Sequence, residues 1–352
     1  MNKIISKIKY VLLFVLCLLI FVASFEILDQ FGKEIELSER AQENVKEDTQ
    51  KREALELSGN NWMGQLSGNL RLSEINIPGT HDSTTKYVDM SYFSKTQTTS
   101  IKEQLEMGYR YLDIRLEDDN GRLKLVHGIV SCRNGLTFFS GIMYLDKVLE
   151  QCYEFLKENP TETIIFVVKM DNGNQTDRAF QKEFMKYVSE NKDSWYLKST
   201  TPCLGDVRGK MVLCRRFANG ADLAKSACGM DFRWSEQNNS KDEGYTYEKN
   251  VKIDGALYVQ DHYCYNEDNK WNAVMDSMEN MSALRDRKKE YFLCFLSTKG
   301  EKPYGHPITY ARKLNVQFME TKLTKDLDCG WLIADYATKE IAEHVYLTNF
   351  AD

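Results

Sequence analysis

The chain has 352 residues, 42% of them hydrophobic and 28% charged, which excludes a disordered, collagen-like or multi-span membrane protein. Against 52 Asp and Glu stand 46 Lys and Arg, a net charge of −6, so no global basic field calls for a nucleic-acid partner. Only five histidines occur (His81, His127, His262, His306, His344), and imidazole chemistry must draw on them.

The N-terminus differs from the rest. Lys3, Lys7 and Lys9 precede an apolar run from Val11 to Ala23, shorter than the roughly 20 residues of a spanning helix. Residues 1–25 therefore read as a secretory signal, cut after Ser24, or as an uncleaved N-terminal anchor. Both readings place the rest of the chain outside the cell or at the outer face of its membrane. Of nine cysteines, Cys17 lies in the run, and the other eight show no C-x-x-C and no zinc spacing. No disulfide pair is assigned, and Cys214 and Cys294 read as small buried hydrophobes. Residues 26–60 are strongly charged and read as a solvated helix or tether, not a core element. Residues 61–352 carry no Pro- or Ser-rich break and no repeat, which predicts a single domain.

Eight short β-rich runs follow: 74–78, 109–116, 123–128, 163–170, 210–217, 256–261, 291–297 and 330–336. Amphipathic stretches at 142–159, 177–190 and 272–290 alternate with them. Continuous apolar strands interleaved with helices predict a covered parallel sheet, and eight of them in one domain predict an α/β fold, an irregular (β/α)8 TIM-type barrel. The irregularity belongs between the second and third runs, where no long helical pattern intervenes. Neither a GxGxxG nor a Walker loop is present, which removes the commonest nucleotide readings.

Polar residues close those apolar runs. They are His81 and Asp82, Asp113 and Arg115, His127, Lys169, Arg216, Asp261 and Tyr263, and Asp335. In a barrel such strand ends converge on one mouth. Two histidines, an arginine and carboxylates to orient them suit cleavage of a phosphodiester by a neighbouring hydroxyl. One imidazole removes the hydroxyl proton, the other protonates the leaving oxygen, and the guanidinium stabilises charge on phosphorus. His262, His306 and His344 lack such surroundings and read as surface or packing residues.

The segments 62–85 (WMGQLSGNLRLSEINIPGTHDSTT), DIR at 113–115, LVHG at 125–128 and TETIIFVVKMD at 161–171 resemble the X-region of bacterial phosphatidylinositol-specific phospholipase C. GKMVLCRRF, VQDHY and GWLIADY follow in the family's order, so the resemblance covers 61–352. It implies His81 as general base supported by Asp335, and His127 as general acid with Asp82 as its carboxylate. It implies Arg115 on the phosphate, Lys169, Arg216, Asp261 and Tyr263 on the inositol, and Asp113 behind them. Diacylglycerol and a 1,2-cyclic inositol phosphate would be the products, by a monomer contacting a membrane that holds phosphatidylinositol.

Eukaryotic members use calcium, whereas Arg115 stands two residues after Asp113 where metal-free bacterial enzymes place their arginine. A guanidinium and a divalent ion in one phosphate pocket repel, so neither metal nor cofactor is expected. Glu117, Asp118 and Asp119 precede Asn120-Gly121 and read as a turn. Phe138, Phe139 and Tyr304 are the aromatic candidates for lipid contact. Two competing functions remain open: a metal-dependent glycerophosphodiester phosphodiesterase, and an exported barrel that binds lipid or sugar without catalysis.

Overall fold

The computed structural model describes residues 9–15, 17, 35–136, 138–172, 175–238, 246–250, 255–284, 286–301, 305–324 and 327–350. Most of the N-terminal apolar run, and Tyr304 with it, lies outside these residues, as does the Phe138 side chain. The strands are β1 (Ile77–Thr80), β2 (Tyr111–Asp119), β3 (Arg122–His127), β4 (Val130–Ser131), β5 (Ile164–Met170) and β6 (Trp195–Tyr196). They continue as β7 (Met211–Arg215), β8 (Met230–Asp231), β9 (Thr246–Asn250), β10 (Gly255–Gln260), β11 (Glu290–Phe295) and β12 (Trp331–Ala334). The sheet runs β6-β7-β5-β2-β1-β12-β11-β10-β9. Every pairing from β6 to β10 along that path is parallel, and only β9 turns antiparallel.

Seven of the eight sequence-predicted strands take parallel places in this α/β barrel. The third, 123–128, does not: β3 is the antiparallel return arm of a hairpin from β2. Asn120 and Gly121 both have positive φ (56° and 85°), the geometry of a two-residue hairpin turn that Asn-Gly favours. Glu117 to Asp119 therefore belong to the end of β2, with the turn following. The missing parallel position is shared by two short strands, β6 against the first half of β7 and β8 against its second half.

Side chains alternate strictly across the sheet, as strand geometry requires. Ile77, Tyr111, Ile165, Val167, Val212, Cys214, Leu257, Val259, Leu293, Phe295, Trp331 and Ile333 fill the barrel interior. Leu112, Ile114, Phe166, Val168 and Leu213 point outward onto the helices Leu145–Glu158 and Asp177–Glu190. Phe292, Cys294, Leu332 and Ala334 pack under Glu267–Leu284, Pro307–Glu320 and Lys339–Tyr346. At Gly79 a side chain would meet Tyr111 Cβ at 2.8 Å, so β1 and β2 approach this closely only because glycine stands there.

The charged N-terminal stretch is not a solvated tether over its whole length. Helix Glu39–Ala54 docks on the barrel: Ala41 is fully buried, and Leu37 and Val45 pack against the outer core. Asp48 Oδ2 lies 2.6 Å from His344 Nδ1, Arg52 pairs with Glu343 at 2.9 Å, and the Asn44 amide donates to the Met319 carbonyl. Leu57 enters the interior core. The globular unit thus takes in residues well before 61, and His344 is a buried ion-pair residue within it. No disulfide joins the described cysteines, and Cys214 and Cys294 are buried as expected.

Candidate active site

Continuing the interior stripe of each strand by one step past the apolar core gives the site. On β2, Tyr111 is followed inward by Asp113 and Arg115. On β5, Ile165 and Val167 are followed by Lys169, and on β7, Val212 and Cys214 by Arg216. Beyond β10 comes Asp261, beyond β12 Asp335, and beyond β1 His81. Apolar layers below and ionisable groups on the last layer, at the C-terminal strand ends, match the functional end of such barrels.

These side chains surround a cleft of about 330 Å³. His81, Arg115, His127, Lys169, Arg216, Asp261, Tyr263 and Asp335 line it, while Asp82 and Asp113 sit in the wall behind. The His81 and His127 rings face each other at 6.2 Å between centroids, edge to face. Arg115 Nη2 lies 2.9 Å from His81 Nε2, and Arg115 Nε pairs with Asp82 Oδ1 at 2.7 Å. The other oxygen of Asp82 is 3.2 Å from His81 Nε2 and 3.3 Å from His127 Nε2. Asp82 is therefore shared by all three groups, whereas the family resemblance implies it for His127 alone. His127 Nδ1 meets the Ser94 carbonyl at 2.7 Å, which fixes a proton on that nitrogen and turns Nε2 to the cleft. His81 Nδ1 contacts Asp335 Oδ1 at 2.8 Å.

The backbone around these groups is held in uncommon conformations. Asp82 and Tyr336, each next to a residue that touches His81 or is His81, have φ of 42° and 48°, a region non-glycine residues seldom adopt. Gln97 secures the junction by donating to the carbonyls of His81 and Ala334, both at 2.9 Å. Ser83 secures Asp113, donating its amide to the Asp113 carbonyl and accepting from the Asp113 amide at 2.8 Å.

Charge sets the proton equilibria. Burial lowers the His81 pKa, but the carboxylates of Asp82 and Asp335 more than reverse this and raise it to about 9. Each protonation state has a partner at Nε2: the charged ring can donate to Asp82, and the neutral ring can accept from Arg115. Burial also works against Arg115, and Asp113, Asp82 and Asp171 outweigh it, so its pKa rises well above the ordinary value. Burial would raise Asp113, yet Arg115, His81 and Arg216 hold its carboxyl below the usual range.

His81, Asp82 and Asp113 bring ligand atoms within 4.8 Å of one another, a spacing that could suit a divalent ion. The Arg115 guanidinium contacts all three of those residues. A cation there would have to expel or repel an arginine, so the donor set does not fit calcium.

Sequence reasoning missed several cleft residues. Asp171 accepts from the Gly128 amide at 2.7 Å, pairs with Lys169 at 3.4 Å and approaches Arg115 to 3.8 Å. Its parity with Lys169 on the strand was the signal available. Trp234 stacks on the Arg216 guanidinium at 3.5 Å and donates to Asp261 at 3.1 Å. Glu236 receives the Tyr263 hydroxyl at 3.1 Å and faces Lys169 at 3.6 Å. Trp234 and Glu236 follow a two-residue strand and carried no periodic signal. Of the adjacent arginines, Arg216 reaches the cleft, whereas Arg215 points outward to the carbonyls of Phe217 and Cys228.

Residues 75–217 match the family model described as "Phosphatidylinositol-specific phospholipase C, X domain". A 1-phosphatidylinositol phosphodiesterase of Staphylococcus aureus (strain Newman) is 30% identical over 304 residues, covering 81% of this chain and 90% of that protein. The chain belongs to the phosphatidylinositol-specific phospholipase C family. A Listeria monocytogenes 1-phosphatidylinositol phosphodiesterase is 37% identical over 163 residues, 43% of this chain and 47% of its own length. A crystal structure of the Staphylococcus aureus phosphatidylinositol-specific phospholipase C superposes with a TM-score of 0.67 at 27% identity, covering 82% of this chain and 97% of that one. The family model spans every site residue from His81 to Arg216; Asp261, Tyr263 and Asp335 lie beyond it.

Proposed function

We propose that this phospholipase C cleaves phosphatidylinositol through a paired-imidazole mechanism in which Arg115 does the work a metal does elsewhere. The observation that carries this reading is the facing pair His81 and His127, 6.2 Å apart, with the Arg115 guanidinium against one ring and Asp82 joining all three. Neutral His81 takes the proton of the inositol 2-hydroxyl through Nε2 while Asp335 holds Nδ1. The 2-oxygen forms a bond to phosphorus as the bond from phosphorus to the glycerol oxygen breaks. Protonated His127 gives its Nε2 proton to that oxygen, releasing diacylglycerol and leaving the 1,2-cyclic phosphate. Arg115 presents a fork to the non-bridging oxygens as their charge grows. Asp113 keeps the guanidinium in place from behind at 3.1 Å.

Lys169, Arg216, Asp261 and Tyr263 offer donors and acceptors suited to ring hydroxyls. Trp234 braces two of them, and Asp171 and Glu236 neutralise Lys169 between turnovers. The net charge of −6 supports a target other than nucleic acid.

For lipid access, Phe139 is 84% exposed and Ile129 88% exposed, and Ile129 adjoins cleft-lining Gly128. Tyr92 and Phe93 are also exposed, with Phe93 on the cleft. Exposed apolar side chains beside the cleft, Phe93 and Ile129 among them, suit insertion into a bilayer surface. No helix among the described residues is long and apolar enough to cross a membrane. Ile35 packs against Ile308, Ala311 and Tyr336, and Tyr336 follows Asp335 at the mouth. Ile35 thus packs beside the mouth, and the basic-then-apolar pattern of residues 1–25 supports an enzyme exported across, or held at, the membrane it works on.

Phosphorus NMR of phosphatidylinositol vesicles treated with the protein in EDTA tests the chemistry. A cyclic phosphodiester resonance is the expected result. Silence in EDTA with recovery on adding calcium or magnesium would favour the metal-dependent diesterase, and silence under both conditions the non-catalytic barrel.

A further inference from the structure

The imidazole assigned as general acid sits two residues past the last rung that joins its strand to β2. That rung is the Leu116–Leu125 pair. Beyond it Val126 and His127 pair with Ser131 and Val130 of the two-residue strand β4, and Gly128 with exposed Ile129 forms the tip between them. Gly128 has a φ of 56°, and a side chain added there would meet nothing within 4 Å. The Ser94 carbonyl and Asp82 fix the rotation of the His127 ring, but the backbone from which the ring hangs needs a hold of its own.

Two adjacent side chains at the end of β5 take up both backbone groups of Gly128. The Gly128 amide donates to Asp171 Oδ2 at 2.7 Å, and Asn172 Nδ2 donates to the Gly128 carbonyl. Asp171 is itself anchored. Its amide donates to the Leu116 carbonyl at 3.0 Å, one step past the Leu116–Met170 pair of the β2–β5 ladder. Its side chain is 8% exposed; Oδ2 also stands 3.8 Å from Arg115 Nη1, and Oδ1 pairs with Lys169 at 3.4 Å. One carboxylate thus reaches the turn behind His127, the guanidinium assigned to the phosphate and the ammonium assigned to the inositol.

We propose that Asp171, with Asn172 beside it, is the positioning residue of the general acid: the pair clamps the Gly128 turn so that His127 Nε2 stands at the departing oxygen while Arg115 holds the phosphate. A hydrogen bond from a backbone amide to a buried carboxylate is among the stronger ties available to a turn. A proton donor displaced by about 1 Å can cost on the order of 10²-fold in rate. The step served is the transfer of the His127 Nε2 proton to the glycerol oxygen as its bond to phosphorus breaks. Asp171 acts through His127 and not on the reacting atoms.

The role of Asp171 rests on that given to His127, and the choice of leaving group tells their failures apart. A glycerol oxygen departs poorly unless it is protonated, whereas nitrophenolate departs without a proton, so a nitrophenyl ester of inositol 1-phosphate bypasses the acid. In Asp171→Ala, kcat toward phosphatidylinositol in mixed micelles is expected to fall about 10²-fold, and kcat toward the nitrophenyl ester less than about tenfold. Asn172→Ala should move the ratio of the two the same way by a smaller factor, and it keeps the question answerable should Asp171→Ala fail to fold. Asp171→Asn retains an oxygen for the Gly128 amide and should restore the ratio, with KM still altered through Lys169. On a His127→Ala background, Asp171→Ala should leave the ratio where it was. The clamp is also read without turnover: the Gly128 amide proton, shifted downfield by the carboxylate in the NMR spectrum of the full chain, should move upfield in Asp171→Ala. Equal losses on both substrates, or an unmoved Gly128 amide, would overturn the proposal. A wild-type protein that turns over neither substrate would defeat the catalytic reading itself, whereas an active wild type with equal losses in the variants defeats only the role of Asp171.

Discussion

Two arginines, one just before β2 and one midway along it, are embedded among carboxylates in different ways. Arg110, just before β2, is fully buried beneath the barrel, where Glu162 takes its Nε and Nη2 and the carbonyls of Leu105, Tyr109 and Gly59 take what remains. Glu162 is satisfied in turn by the amides of Met63 and Gly64. Arg115, five residues on, borders the cleft amid Asp82, Asp113 and Asp171, and it touches an imidazole instead of a ring of carbonyls. Burial dominates at Arg110 and lowers its pKa, whereas surrounding negative charge dominates at Arg115 and raises it. A saturated ion pair fastens elements together. An ion cluster whose groups border an open cleft can give up partners to an incoming phosphate.

The largest effect expected from this contrast is at the closed end. Arg110→Met leaves Glu162 charged and buried, and should cost about 3–5 kcal/mol of stability in urea unfolding. At the open end, Arg115→Lys keeps the charge but loses the fork, and kcat should fall about 10²–10³-fold with the unfolding midpoint nearly unchanged. Equal effects of both substitutions on Tm and on kcat would erase the distinction.

A pH experiment sharpens it further. His81 is raised to about 9 in the fold, above the ordinary imidazole value near 6.5, so the acid limb of kcat/KM for the free enzyme should lie on the alkaline side of that value. Asp335→Asn removes one source of the rise and should bring the limb to lower pH while lowering kcat. The same shift stabilises the fold fully below about pH 6.5 and is lost as pH rises through about 9. The fall of Tm across that window should therefore flatten in Asp335→Asn. The smallest effect belongs to the docked N-terminal helix. Asp48→Asn weakens the contact with His344 and should cost about 1 kcal/mol in urea unfolding, with kcat unchanged.

Much of the site could be read from the chain because strand geometry repeats every two residues. Ile165, Val167 and Lys169 differ in chemistry but not in direction, so an ionisable residue closing an apolar run already announced a mouth-facing group. The same rule extended by one step reaches Asp171. The Asn120-Gly121 pair is legible as a turn, and a two-residue turn of that type returns the chain antiparallel, which excludes 123–128 as a parallel barrel strand. The docking of residues 39–54 is hidden in the sequence for a different reason. Their mean composition is polar, but a few small or apolar contacts at Leu37, Ala41 and Val45 and a buried pair at Asp48 suffice to dock them. Trp234 and Glu236 reach the cleft from an irregular segment, where position depends on tertiary packing and no local pattern reports it.

The shared parity of the site residues has a consequence for how this enzyme can change. Adding or deleting one residue inside β2, β5 or β12 would rotate every later side chain of that strand through the sheet, exchanging Arg115, Lys169 or Asp335 for an aliphatic neighbour and burying a charge beneath a helix. Length variation is therefore confined to the connections between strands, and within strands the molecule can diversify only by substitution.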